Sequence, residues 1–214
     1  MSSGSDQEEK VFYMIRNIVF DIGNVLAKFA WDDRFRRFTE TDEEFERVAA
    51  ATIRAKEWAE YDRGVLSDEE IIESFVRLDP EIGPVIRKCL ESFHGMVAEY
   101  DYTVPWIREL REKGYGVYYL SNMPWAALRD CAEDLAFCEE TDGGILSCRE
   151  KLIKPDPAIY RLLLARYGLT AEECVFLDDS EKNVRAAREL GMYGIVFRDR
   201  EQGLRELREL GVRT

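Results

Sequence analysis

The sequence predicts an α/β protein whose parallel sheet is interrupted by an inserted bundle of helices. Three observations lead there. Short apolar runs, rich in β-branched and aromatic residues, recur at 17–20, 117–120, 174–177 and 195–197. Each run is apolar on both faces, as strands covered on both sides are. Helical stripes alternate with these runs, and from 32 to 100 the alternation gives way to helical stripes alone.

Taken in chain order, residues 1–10 are polar and acidic and are expected to form a disordered tail. The first strand, 17–20, stops at Asp21 and Gly23. Beyond it, Phe45, Val48, Ala49, Thr52 and Ile53 keep helical spacing, as do Ile71, Ile72, Phe75 and Val76, and then Ile82, Val85, Ile86, Cys89, Leu90 and Phe93. Thr41 with Glu44 and Ser67 with Glu70 have the spacing of capping boxes. No convincing strand run falls in this stretch. The expected organisation is a core domain over 11–31 and 101–214, with a helical cap domain over 32–100. Later helices carry Ile159, Leu162, Leu163 and Tyr167 on one face, and Val184, Ala187 and Leu190 on another. Gly168 and Gly191 follow them as stop signals.

Composition sets the outer limits. With 214 residues, 46% hydrophobic and 34% charged, the chain can bury a real core. A net charge of −13 argues against nucleic acid and anionic membranes as partners. No apolar run approaches the ~18 residues that span a bilayer, and the start is not a signal peptide. The five cysteines form no C-x-x-C pair, which suits reduced thiols in a cytoplasmic protein. The single histidine, His94, rules out two-histidine metal sites and reads as a structural or surface residue. A monomer or weak homodimer is expected.

Four features at strand and helix ends carry chemistry. Asp21 emerges from the first strand into a glycine-containing turn, and ligands bind at the carboxyl ends of strands in open α/β sheets. Ser121 and Asn122 follow the next run and offer a hydroxyl and an amide. Lys154, stiffened by Pro155 and Pro157, brings a compact positive charge to the start of a helix. Asp178 and Asp179, with Asn183 further on, form an acidic pair that repels itself unless a cation is present; such oxygen donors suit Mg²⁺. Any one of these alone is as well explained as a cap or a turn. Their co-occurrence in this order supplies a nucleophile, a phosphate grip and a metal clamp.

In this order and spacing, from about residue 16 to about 200, the chain resembles the haloacid dehalogenase superfamily with an inserted helical cap and a Rossmann-like core. It is similar to the α-D-glucose-1-phosphate phosphatase-like branch in Asp21-Ile-Gly-Asn-Val25, Leu120-Ser-Asn122, Lys154 to Tyr160, Phe176 to Asn183, and the cap stretch Arg63 to Glu69. The resemblance implies a Mg²⁺-dependent phosphatase acting on a small phosphorylated metabolite. Asp21 would attack phosphorus and form an aspartyl-phosphate. Asp21, Asp179 and the Gly23 carbonyl would hold Mg²⁺, with Asp178 supporting the site. Ser121, Asn122 and the backbone amides of Ile22 and Gly23 would grip phosphate, with Lys154 offsetting charge.

The sequence departs from the superfamily at Gly23, where most phosphatases have a second Asp that protonates the leaving oxygen. A positioned acid–base contributes ~10²–10⁴-fold. Three explanations are open. The leaving group needs little help, as the anomeric alcohol of a sugar 1-phosphate would; or a cap residue supplies the proton, with Asp32, Asp33, Tyr61 and Asp62 as candidates; or the protein is a weak or inactive phospho-ligand binder. A haloacid dehalogenase, which works without metal, fits the acidic pair poorly. Trp58, Tyr61 and Arg63, just before Gly64, are the expected cap contacts to substrate.

Overall fold

The computed structural model describes residues 14–214, so the expected tail lies outside the described residues. The chain runs β1 (Asn17–Phe20) and β2 (Ala27–Phe29), then α1 (Trp31–Arg36), α2 (Asp42–Ala51), α3 (Trp58–Arg63), α4 (Asp68–Leu78) and α5 (Gly83–Leu90), then β3 (Val97–Glu99). It continues with α6 (Thr103–Glu112), β4 (Gly116–Ser121), α7 (Trp125–Asp130), β5 (Gly143–Leu146), α8 (Ser147–Glu150) and α9 (Pro157–Tyr167). It ends with β6 (Cys174–Asp178), α10 (Glu181–Glu189), β7 (Tyr193–Val196) and α11 (Arg200–Glu209).

Five strands form one parallel sheet in the order β5-β4-β1-β6-β7. The double-sided apolar runs are explained by its two covered faces. Ile18, Phe20, Val175 and Leu177 turn towards Trp106, Ile107 and Leu110 of α6 and Leu207 of α11. Val19, Leu120 and Phe176 turn the other way, towards Ile159, Tyr160 and Leu163 of α9 and Ala187 of α10. Successive strand residues thus feed different cores.

Three strands lie where no run was expected. β5 begins Gly143-Gly144, and these glycines mask it in sequence; a Cβ on Gly144 would lie 2.3 Å from the Tyr119 ring. β3 falls inside 32–100 and pairs antiparallel with β2, three residues each, too short for a period to show. This ribbon joins the sheet to the helices α1–α5.

Within that helical segment the stripes turn inward: Phe45, Val48, Ile71, Phe75, Ile86 and Cys89 are buried. Ser67 and Glu70 form the full capping box. Thr41 caps α2, but the Glu44 carboxylate accepts from Glu40 N instead of Thr41 N, so only half of that box forms.

Candidate active site

Three carboxylates and one ammonium meet at the carboxyl end of the sheet. Phe20 is paired with Leu177, so the residues that follow, Asp21 and Asp178, leave neighbouring strands side by side. Asp21 N donates to Leu177 O (2.8 Å), fixing that register to the last residue. Lys154 Nζ lies between them, 2.8 Å from Asp21 Oδ1 and 2.7 Å from Asp178 Oδ2. All three groups are buried. Burial works against charge on Lys154, but Asp178 and Asp21 outweigh it and hold its pKa above the ordinary lysine value. Burial likewise pushes Asp21 up, to about 7, against the pull of Lys154.

The surrounding side chains hold this arrangement. The Asn122 amide brackets the Lys154 backbone: Nδ2 donates to Lys154 O (3.0 Å) and Oδ1 accepts from Lys154 N (2.8 Å). Its side chain therefore positions Lys154, and the bond to Lys154 O uses one of the two Nδ2 hydrogens. Ile22 N donates to Asp21 Oδ1 (2.7 Å), so its one hydrogen is engaged by that carboxylate. Ser121 is buried at the end of β4, beside Asp21. Asp178 accepts from Lys154, Ser180 N and Asn183 Nδ2, which occupies both its oxygens. Asn24 takes a left-handed conformation, φ 57°, that Asn tolerates better than most residues. From there Asn24 Nδ2 donates to Asp179 Oδ2 (2.9 Å). Its role went unread in the sequence, where its one signal was the place after Gly23.

This corner fits a hard divalent cation. Carboxylate oxygens of Asp21, Asp178 and Asp179 lie within 4.8 Å of one another. Beside them the buried Asn183 Oδ1 is an acceptor with no partner. A set of oxygen donors with two units of unmatched negative charge suits Mg²⁺. Gly23 lies on the same rim, and a Cβ there would meet nothing within 4 Å. Crowding therefore does not explain the missing carboxylate.

Above the acidic floor lies a pocket of about 430 Å³. Its floor is polar: Asp21, Asn24, Ser121, Asp179 and Lys182. Its far wall is apolar, built by Phe29, Ile53, Trp58, Phe93, Met123 and Ala127. Of the three expected substrate contacts, only Trp58 lines this pocket. Tyr61 is buried against Trp58, Phe75 and Phe93, with ring centroids 5.3–6.1 Å apart. Arg63 points away, paired with Glu60 and donating to Lys151 O (3.3 Å). Asp62, between them, does line the pocket.

The fold and this acidic corner define a hydrolase. The chain belongs to the haloacid dehalogenase-like hydrolases, whose family model matches residues 15–191. It is 27% identical over 195 residues to the sesquiterpene phosphatase astK of Aspergillus oryzae, a match covering 90% of this chain and 94% of that protein. Some other curated relatives are longer, and the chain spans only 19% of four of them. A HAD-like family hydrolase from Porphyromonas gingivalis superposes with a TM-score of 0.70 at 25% identity, over 94% of this chain and 100% of that one. A family enzyme from Bacteroides thetaiotaomicron, solved with magnesium and inorganic phosphate, shares the fold with a TM-score of 0.64 at 21% identity, over 86% and 94% of the two chains.

Proposed function

We propose that the protein is a Mg²⁺-dependent phosphatase that hydrolyses the phosphomonoester of a largely apolar alcohol through an aspartyl-phosphate on Asp21. The observation that carries the reaction is the buried triad in which Lys154 bridges Asp21 and Asp178 beside Asp179. A carboxylate nucleophile and an anionic phosphate repel each other, and Lys154 offsets part of that repulsion from within the site. Asp21, Asp179 and the Gly23 carbonyl would hold Mg²⁺, which supplies further neutralisation and a template for the phosphate. Ser121 and the Gly23 amide are the donors placed for the phosphoryl oxygens. Asp178, Asn122 and Asn183 position Lys154 and the corner around it.

The substrate class follows from the wall. Phe29, Ile53, Trp58, Phe93, Met123 and Ala127 offer no hydrogen bonds to sugar hydroxyls from their side chains, and they reward apolar surface. The name of the Aspergillus relative, a sesquiterpene phosphatase, agrees with that reading. A second reading, a sugar 1-phosphate, is favoured by Gly23, because an anomeric alcohol departs with less help. The helices α1–α5 would act as the cap that chooses between them. The five cysteines are free thiols, which suits a reducing, cytoplasmic setting. Among the described residues, no helix is long and apolar enough to cross a membrane.

Phosphate release with Mg²⁺ across prenyl and alkyl monophosphates, sugar 1-phosphates and sugar 6-phosphates tests both parts. The highest kcat/KM is expected on the apolar monophosphates. A preference for sugar 1-phosphates would support the second reading. No turnover on any of them, with Mg²⁺-dependent phosphate binding retained, would leave a phospho-ligand binder.

A further inference from the structure

We infer that Asp62 is the general acid of this site, protonating the oxygen that leaves phosphorus in place of the carboxylate missing at position 23. This rests on the phosphatase reading above. Between residues 31 and 96 the pocket is lined by Ile53, Trp58, Asp62 and Phe93, and Asp62 is the one ionisable group among them. The other candidates lie elsewhere. Asp33 pairs with Lys28 (2.6 Å) and Asp32 is exposed outside the pocket. Tyr61 is enclosed by aromatic rings. In phosphoryl transfer the attacking and leaving oxygens are roughly in line across phosphorus. With Asp21 on the floor, the leaving oxygen faces the wall, where Asp62 stands.

The backbone that carries Asp62 is held in place, while its side chain is not used. Ser147 Oγ donates to the carbonyl of Asp62 (2.6 Å) and accepts from Met123 N (2.8 Å). Lys151 Nζ donates to the carbonyl of Gly64. Gly64 packs so closely that a Cβ would come 2.7 Å from Cys148 Cβ. These contacts fix the last turn of α3 against the segment after β5. The Asp62 carboxylate accepts no hydrogen bond from any described residue, so it has no structural task that would explain it. Burial pushes its carboxyl up to about 8, with Lys154 and Lys182 opposing and Asp21 adding to the rise. The acid form is therefore present at neutral pH, as a general acid requires.

The step balances. Asp21 attacks phosphorus, the bond from phosphorus to the alcohol oxygen breaks, and that oxygen keeps the electron pair. It takes the Asp62 proton and departs as the alcohol. Water then attacks the aspartyl-phosphate, gives a proton to Asp62, and its hydroxyl joins phosphorus. The bond to Asp21 breaks, which releases inorganic phosphate and restores both carboxyl groups.

Asp62→Asn should be compared with the wild type on a long-chain alkyl phosphate and on p-nitrophenyl phosphate, whose phenol leaves without help. The quantity is kcat/KM, which reports events up to departure of the alcohol and not hydrolysis of the intermediate. A loss of about 100-fold or more on the alkyl ester and under about fivefold on the aryl ester is expected, the retained aryl activity showing a folded site. Equal losses on both esters, or none on the alkyl ester, would overturn the assignment. Should the variant fail to fold, the wild type decides alone. Its kcat/KM across esters of graded leaving-group acidity is expected to be nearly flat, and a steep dependence overturns the acid. A wild type that turns over neither ester overturns the phosphatase reading as well.

Discussion

The floor and the wall of the pocket are built on opposite principles. The floor is an ionic cluster at the ends of β1, β4 and β6, in which Lys154 pairs with Asp21 and Asp178, Asn183 donates to Asp178 and Asn24 donates to Asp179. The wall is mostly apolar and draws on α3, the ribbon and the segment that leads into α7; of its ionisable groups Lys28 pairs with Asp33, whereas the Asp62 carboxyl accepts no hydrogen bond from any described residue. The contrast teaches a division of labour. In the proposed reading, the bonded floor would carry the reaction common to all phosphate esters, and the apolar wall would select the alcohol.

Substitutions can break this division. Asp21→Asn removes the proposed nucleophile and is expected to cost at least about 10⁴-fold on all esters alike, measured by phosphate release. Lys154→Met leaves Asp21 and Asp178 facing each other in a buried site. It is expected to lower stability by about 3–5 kcal/mol in denaturant titration and to reduce turnover of every substrate.

Gly23→Asp moves an acid from wall to floor. In the Asp62→Asn background it is expected to recover about tenfold or more in kcat/KM on alkyl esters. Trp58→Ala strips the wall and is expected to cost about tenfold in kcat/KM on apolar monophosphates, with little change on small ones such as acetyl phosphate.

The last effect is on stability and concerns pH. The Asp62 pKa is raised from 3.8 to about 8, so the folded protein keeps a proton that the unfolded chain gives up. That stabilising contribution is complete below about pH 4 and lost as pH rises through about 8. Asp62→Asn cannot ionise, so its Tm relative to the wild type is expected to rise between about pH 5 and about pH 9. A constant difference would contradict the raised pKa.

The floor was legible because three of its parts directly end apolar runs: Asp21 after Phe20, Ser121 after Leu120, Asp178 after Leu177. Parallel strands with adjacent carboxyl ends then bring them together without further information. The acidic corner could be read from chain order, but the tasks of Asn122 and Ile22 could not. Which partner a polar group's hydrogens meet is set by how neighbouring segments dock, as Asn122 on the Lys154 backbone shows.

The wall was barely legible. Trp58 and Asp62 lie one helical turn apart and share the pocket face, whereas Tyr61 and Arg63 point to other sides of α3. Four nearby polar and aromatic residues look alike in sequence until the helix is docked. β5, on which that docking depends, was hidden by Gly143 and Gly144.

The docking of α3 has one more consequence. The contacts that seat residues 62 and 64 are made to their carbonyl oxygens, by Ser147 and Lys151. A carbonyl is the same whatever side chain the residue bears. The mount is thus independent of the tool it carries: position 62 can exchange its chemical head while the helix stays seated. An enzyme built this way can shift from alcohols that need a proton to alcohols that do not by changing one side chain, with neither the closure of the pocket nor the ionic floor disturbed.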